Sequence, residues 1–149
     1  IGVLAENRHR ALEFAGYQYT HAVVICFDEK GNLTWDNSFE INDVKTSTLD
    51  QYVKIQAQDD KIYLQYVYAN EIRSKIIRDS EIIEGKSTDK LKLKFEDDIL
   101  KGTEYGSSKL DYWYDDKLFI FGVQQIRNYS QTRANSNRRV FFINKIHYE

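Results

Sequence analysis

Asp59-Asp60-Lys61-Ile62-Tyr63-Leu64 recurs as Asp115-Asp116-Lys117-Leu118-Phe119-Ile120. The two acids and the lysine are identical, and each of the three residues that follow is conservatively matched. The chain contains no proline, so its turns must rely on Gly, Asn and Asp. Asp-Asp therefore reads as a turn, and the apolar triplet after it as the start of a returning strand. The offset, 59 to 115, is 56 residues. A related hairpin spans Asp28 to Trp35. Repeats of about 40–50 residues with several strands each are the mark of propeller blades. The longer offset here is accounted for by long loops between strands.

Working outward from these hairpins, strand-length apolar runs alternate with turn residues along the whole chain. The predicted strands of the first group are Ile1 to Glu6, Tyr19 to Phe27 and Leu33 to Ile41. Ala22 to Phe27 is apolar on both faces and is expected to be covered on both sides. Asp28 to Asn32 forms the turn, with Gly31 taking a positive φ. Leu33, Trp35 and Asn37 are expected to face one side of the return strand. The second group comprises Tyr52 to Gln58, Lys61 to Tyr68, Ile72 to Ile77, Ser80 to Glu84, and Leu91 to Phe95, the last a half-exposed strand. The third comprises Leu110 to Tyr114, Lys117 to Ile126 and Val140 to Ile146, with a polar loop from Asn128 to Asn137. Helix signals are confined to Glu6 to Ala15 and to one turn at Thr46 to Tyr52, both too short to stand alone. The expected core is Ile25, Trp35, Leu64, Val67, Ile120, Val123 and Phe142. The fold expectation is thus an all-β antiparallel meander of repeated hairpins, propeller-like, with a compact β-barrel or sandwich as the alternative.

A chain of 149 residues fits a single domain, 1–149, that buries about 68–70% of its unfolded surface. A net charge of −2 from 21 basic and 23 acidic side chains argues against nucleic acid, which needs a concentrated basic surface. It gives no support to a polybasic membrane site either. No apolar run approaches the ~20 residues of a spanning helix, so no membrane insertion is expected. Cys26 is the single cysteine and sits in an apolar run, the place of a small buried hydrophobe rather than a nucleophile. One cysteine leaves the compartment open, with an extracytoplasmic site (periplasm or cell surface) as the working expectation. The chain starts at Ile1 and contains no methionine, so it is expected to be the C-terminal portion of a longer protein.

Gly2-Val3-Leu4-Ala5-Glu6, then Tyr19-Thr20-His21-Ala22-Val23-Val24, then Asp28 to Gly31 with Leu33 and Trp35, resembles a blade of uncharacterised bacterial propeller-type repeat proteins. The pattern covers residues 1 to about 41, and the later groups match through their Asp-Asp turns and strand spacing. The resemblance implies a fold and supplies no functional residues. Fewer than four blades cannot close a ring, which implies an open arc, or a compact barrel or sandwich instead.

No nucleophile elbow, phosphate loop or dinucleotide fingerprint occurs. His9, His21 and His147 lie on different segments without metal-ligand spacing, so no metal and no cofactor is expected. Asp28 to Asn32 lacks the alternating oxygen ligands of a calcium loop, and Asp36, Asn37, Glu40 and Asp43 read as a solvated strand end. Arg127, Arg133, Arg138 and Arg139 border the polar loop and offer cations to an acidic ligand, although a solvated loop edge is the commoner outcome. The most suggestive stretch is Leu110 to Asp116. Tyr112 and Tyr114 would share one strand face beside Asp115 and Asp116, a stacking platform with hydroxyl acceptors for a glycan. The competing expectation, and the favoured one, is that Tyr112, Trp113 and Tyr114 all pack between strands. The function expected is a non-enzymatic binding or scaffolding module for a protein or glycan ligand, in a bacterial exported protein. The alternative is part of a larger hydrolase whose active site lies largely in sequence outside this chain.

Overall fold

The computed structural model describes residues 14–103, 108–115, 117–129 and 137–146. The expected strand Ile1 to Glu6 lies outside them, as does most of Glu6 to Ala15. Among the described residues there are twelve strands, all paired antiparallel, and no helix. The chain is all-β.

A short pair joins β1 (Tyr17–Gln18) to β4 (Lys45–Thr46), and a hairpin joins β2 (His21–Phe27) to β3 (Leu33–Glu40). The central sheet is a meander in sequence order, β5 (Lys54–Gln58), β6 (Lys61–Tyr68), β7 (Glu71–Arg78) and β8 (Glu81–Lys90). The last sheet is built on β11 (Leu118–Asn128). Along one side of it runs β12 (Asn137–Ile146). Along the other, β10 (Lys109–Tyr112) and β9 (Asp98–Thr103) lie end to end. None of these sheets closes into a barrel.

The central sheet is covered on both faces. Leu64 and Tyr66 of β6 pack with Phe39, Ile41, Val44 and Val53, joined by Ala22 and Val24 of the β2–β3 hairpin. Val67 of β6, on the opposite face, packs with Ile72, Leu91, Leu110, Leu118 and Ile120, joined by Phe142 and Ile146. Side chains alternate along a strand, so β6 must be apolar or compensated at every position from Tyr63 to Val67, and all five are buried. Polar groups stitch the layers. Lys75 Nζ donates to Asn37 Oδ1 and to the Ser38 carbonyl, both at 2.6 Å. Asn70 Nδ2 donates to the Leu91 carbonyl at 3.2 Å, and Gln124 Nε2 donates to Asn70 Oδ1.

The turn chemistry follows the sequence. Gly31 has φ 83°. The Asp28 carboxylate accepts the Lys30 and Asn32 amides at 2.9 and 2.8 Å. A further bond from the Asn32 side chain leads the causes that hold Asp28 below its ordinary carboxylate range. Asp59 and Asp115, the first residues of the twin turns, adopt φ 55° and 51°, the left-handed region that Asp tolerates.

Several expectations are corrected. Ala22 to Phe27 is covered on one face only: Val23, Ile25 and Phe27 are exposed, and Ile25, expected in the core, is 51% exposed. A continuous apolar run is compatible with cover on both sides, but here only the face with Ala22 and Val24 meets the central sheet. Leu33 does not share a face with Trp35 and Asn37. A register shift between Cys26 and Phe27 places Leu33 opposite Phe27, on the exposed side. Leu64, Val67 and Ile120 are core as expected, whereas Trp35, Val123 and Phe142 are half-buried. Residues 91–95 form no strand, because Leu91 leaves the sheet to bond the β6–β7 turn, its amide reaching the Asn70 carbonyl at 3.0 Å. Thr46 to Tyr52 forms no helical turn. There Thr46 Oγ1 donates to the Thr48 carbonyl and Thr48 Oγ1 to Asp50 at 2.8 Å, local bonds that compete with helix.

Leu64→Ala and Ile120→Ala should each cost about 2–5 kcal/mol in urea unfolding. Ile25→Ala should stay within about 0.5 kcal/mol, since the side chain is half in water already. Gln65 is fully buried on the Val67 face of β6, and neither side-chain amide atom has a partner. Gln65→Leu removes an unpaired amide at similar volume, so unfolding should show unchanged or raised stability.

Candidate functional site

One end of the stacked sheets holds a cleft of about 1020 Å³. Its walls are residues 14–16 and Tyr19, which flank β1, together with β4, the loop 47–52, the β6–β7 turn and the start of β10. Gly16, at φ 95°, makes one wall possible, because a Cβ there would stand 2.7 Å from the Thr46 carbonyl oxygen. Tyr19, Tyr52 and Tyr68 bring rings to the lining, with Asp50, Lys54 and Asp111 among them. Tyr19 and Tyr52 pack at 5.3 Å between ring centroids.

The tyrosine hydroxyls are engaged with backbone, which fixes the rings. Tyr19 Oη donates to the Asp50 carbonyl at 2.6 Å and accepts from the Asp50 amide at 2.9 Å. Tyr52 Oη donates to the Val67 carbonyl. Tyr112 repeats the first arrangement one sheet further on. Its hydroxyl accepts the Ile55 amide at 3.0 Å and donates to the Ile55 carbonyl at 2.9 Å, closing part of the edge of β5.

Beside it, Lys54 Nζ sits 3.1 Å from Asp111 Oδ1 and 5.2 Å from the centre of the Tyr112 ring. The hydrogen bond from Lys54, helped by the Tyr112 amide at 2.9 Å, holds Asp111 below its ordinary carboxylate range. An ionised carboxylate at a cleft wall accepts hydrogen bonds and does not donate a proton.

The residues singled out in the sequence are brought only partly together. Tyr112, Trp113 and Tyr114 are 46%, 45% and 55% exposed, so the expectation that all three pack between strands is overturned. β10 ends at Tyr112, and Trp113 and Tyr114 belong to the turn that follows. The Trp113 amide donates to the Lys117 carbonyl at 2.7 Å. Trp113 stands edge-on to Phe119 at 4.9 Å and to Tyr114 at 5.9 Å. Lys117 and Lys145 lie over the Tyr114 ring at 5.4 and 5.3 Å. The Asp115 carboxylate is 3.8 Å from Lys117. Asp116 lies outside the described residues.

Of the loop arginines, Arg138 is committed to the buried Asp98 at 3.2 Å and Arg127 to the Tyr129 ring at 4.5 Å. Arg133, His9 and His147 lie outside the described residues. His21 is exposed at the start of β2. Among the described residues no group of His, Cys, Asp and Glu side chains could hold a metal ion. Sequence reading missed the cleft, because Tyr19, Asp50 and Asp111 lie far apart along the chain and converge only through the stacking of its layers.

No protein-family model, no curated protein and no solved structure matches this chain.

The lowered pKa of Asp111 sets a pH dependence. A depressed carboxylate stabilises the fold above its unfolded pKa, and the contribution is lost as pH falls through the folded value. Wild type should therefore lose stability below about pH 4, where ordinary carboxylates protonate. Asp111→Asn should be less stable than wild type at pH 7 but lose less between pH 5 and 3 in denaturant titrations. The exposure of the pair keeps the difference small.

Proposed function

We propose that this chain is a non-enzymatic binding module, built of successive blade-like sheets in an exported bacterial protein, and that it holds a glycan in the cleft between its sheets. The observation that carries this reading is the meeting of fixed tyrosine rings with a charge-paired carboxylate in one cleft of about 1020 Å³. Ligand sites of this kind combine apolar, aromatic walls with a few convergent polar groups. A sugar offers one apolar ring face and a rim of hydroxyls. Tyr52 and Tyr68 supply apolar surface, while Asp50 and Asp111 accept from hydroxyls. Tyr112, Trp113 and Tyr114 extend the aromatic surface past the Lys54–Asp111 pair, where a longer saccharide would continue.

The blade reading is supported by two features. The twin turns adopt matching backbone at Asp59 and Asp115, and the residues five positions on, Leu64 and Ile120, are both fully buried. The central sheet is a four-stranded meander in sequence order, the arrangement of a propeller blade. Asp111, held ionised by its hydrogen bond from Lys54, suits the role of hydroxyl acceptor in this reading.

Glycan-array screening followed by calorimetric titration tests the proposal. A saccharide should bind the wild type, and Trp113→Ala and Asp111→Asn should each weaken it by about tenfold, close to 1.4 kcal/mol. Circular dichroism should show both variants folded. Equal binding by wild type and both variants, or no saccharide bound by the wild type, removes the reading.

A further inference from the structure

The cleft has the opposite sign of charge to the molecule that carries it. Among the described residues of its lining, Lys45, Lys54 and Lys109 stand against Asp50 and Asp111, while the whole chain has a net charge of −2. We propose that the saccharide held there is an acidic one, and that Lys45 and Lys109 take its carboxylate or sulfate. This inference rests on the reading of the cleft as a glycan site and adds the chemical class of the glycan.

Pairing within the cleft leaves these two cations over. Lys54 is committed to Asp111 at 3.1 Å. Asp111 also lies in the field of Lys109, which adds to the hydrogen bond from Lys54 in holding it below its ordinary carboxylate range. One carboxylate thus faces two lysines. Asp50 is engaged elsewhere: its Oδ2 accepts from the Thr48 hydroxyl at 2.8 Å, and its backbone holds Tyr19 Oη. Among the described residues, neither Lys45 nor Lys109 has a carboxylate within ion-pair distance.

The two lysines stand on different walls, Lys45 in β4 and Lys109 in β10. An ammonium group on a flexible four-carbon stem can follow an anion that enters between those walls. Walls of low dielectric strengthen the attraction over that of an open surface. A neutral saccharide meets the two ammonium groups with hydroxyls alone, whereas an acidic one forms charge-assisted bonds, about twice as strong as neutral ones. A second feature of the lining calls for a polar ligand. Ser108 Oγ is buried and has no hydrogen-bond partner among the described residues. A buried hydroxyl left unpaired is costly, and a polar group of the ligand would satisfy it.

Calorimetric titration of the whole chain with matched pairs of saccharides tests the proposal. Trigalacturonate and its methyl ester share their rings and differ in charge, and a sulfated galactose disaccharide and its desulfated form do the same for sulfate. The wild type should prefer the charged member of at least one pair by about fivefold. Raising NaCl from about 50 mM to about 500 mM should erase that preference. The pair that shows it tells carboxylate from sulfate. Lys45→Gln with Lys109→Gln should abolish the preference. Lys30→Gln with Lys92→Gln removes the same charge from residues off the cleft lining and should keep it. Circular dichroism checks that both variants fold, and should the first not fold, the salt dependence of the wild type decides. Equal affinity for the charged and neutral members of both pairs overturns the proposal and leaves the glycan reading standing. So does a preference that survives the first variant or high salt, or a single-stranded oligonucleotide that binds as tightly, the mark of general attraction for polyanions. If no saccharide binds at all, the glycan reading falls and this inference with it.

Discussion

The structure depends on burying both faces of β6. A strand with one wet face can alternate polar and apolar residues, but a strand covered on both sides must satisfy every position. Tyr63, Leu64, Gln65, Tyr66 and Val67 are all buried, and the two hydrophobic clusters of the molecule meet its opposite faces. The hairpin on one side and the β9–β12 sheet on the other have no described core of their own away from the central sheet. Each is half a sandwich whose other half is this meander. Gln65 is the exception within the strand, a polar side chain with no partner in the most enclosed part of the fold.

Around that apolar stack, long-range polar contacts set how the layers sit. Lys75 reaches Asn37, Lys54 reaches Asp111, and Gln124 reaches Asn70. Contacts of this kind, buried at Gln124 and exposed at Asp111, contribute modest net stability, because each bond replaces one to water. Their larger effect is on geometry, since leaving one unmade is costly. The cleft inherits its shape from them: Tyr19 and Tyr52 are pinned through their hydroxyls, and Lys54 and Asp111 bring neighbouring sheets together at its wall.

The fold class was legible because strand periodicity and turn chemistry are local. Lys61 to Tyr68 forms a strand with those bounds, and Gly31 and the Asp-Asp turns adopt the backbone their residue types favour. Cover on the second face of a strand is not local. Nothing in Ala22 to Phe27 reveals that Val23, Ile25 and Phe27 face outward, because an apolar run looks the same with or without a neighbouring layer. Leu91 to Phe95 alternates well, yet its first residue is captured by Asn70, and the strand forms instead at Asp98–Thr103, where the periodicity is weak. The aromatic stretch after Leu110 stands out in the sequence by its composition. Its exposure was not readable, since it depends on β10 ending at Tyr112. The cleft was invisible for the same reason as the layer cover: its residues meet only once the sheets have stacked.

The two hydrogen bonds between the Tyr112 hydroxyl and residue 55 involve only the backbone of their target. Any residue at position 55 that keeps a backbone N–H, which rules out proline, can make the contact, whereas position 112 must keep a phenol. Sequence drift should be lopsided across this pair. Substitutions at 55 other than proline pass without breaking the tie between sheets, and the loss of a single oxygen at 112 leaves an edge strand open to other chains. The same holds for Tyr19 and Asp50. Layers joined this way can diverge in side chains along one partner while remaining in register.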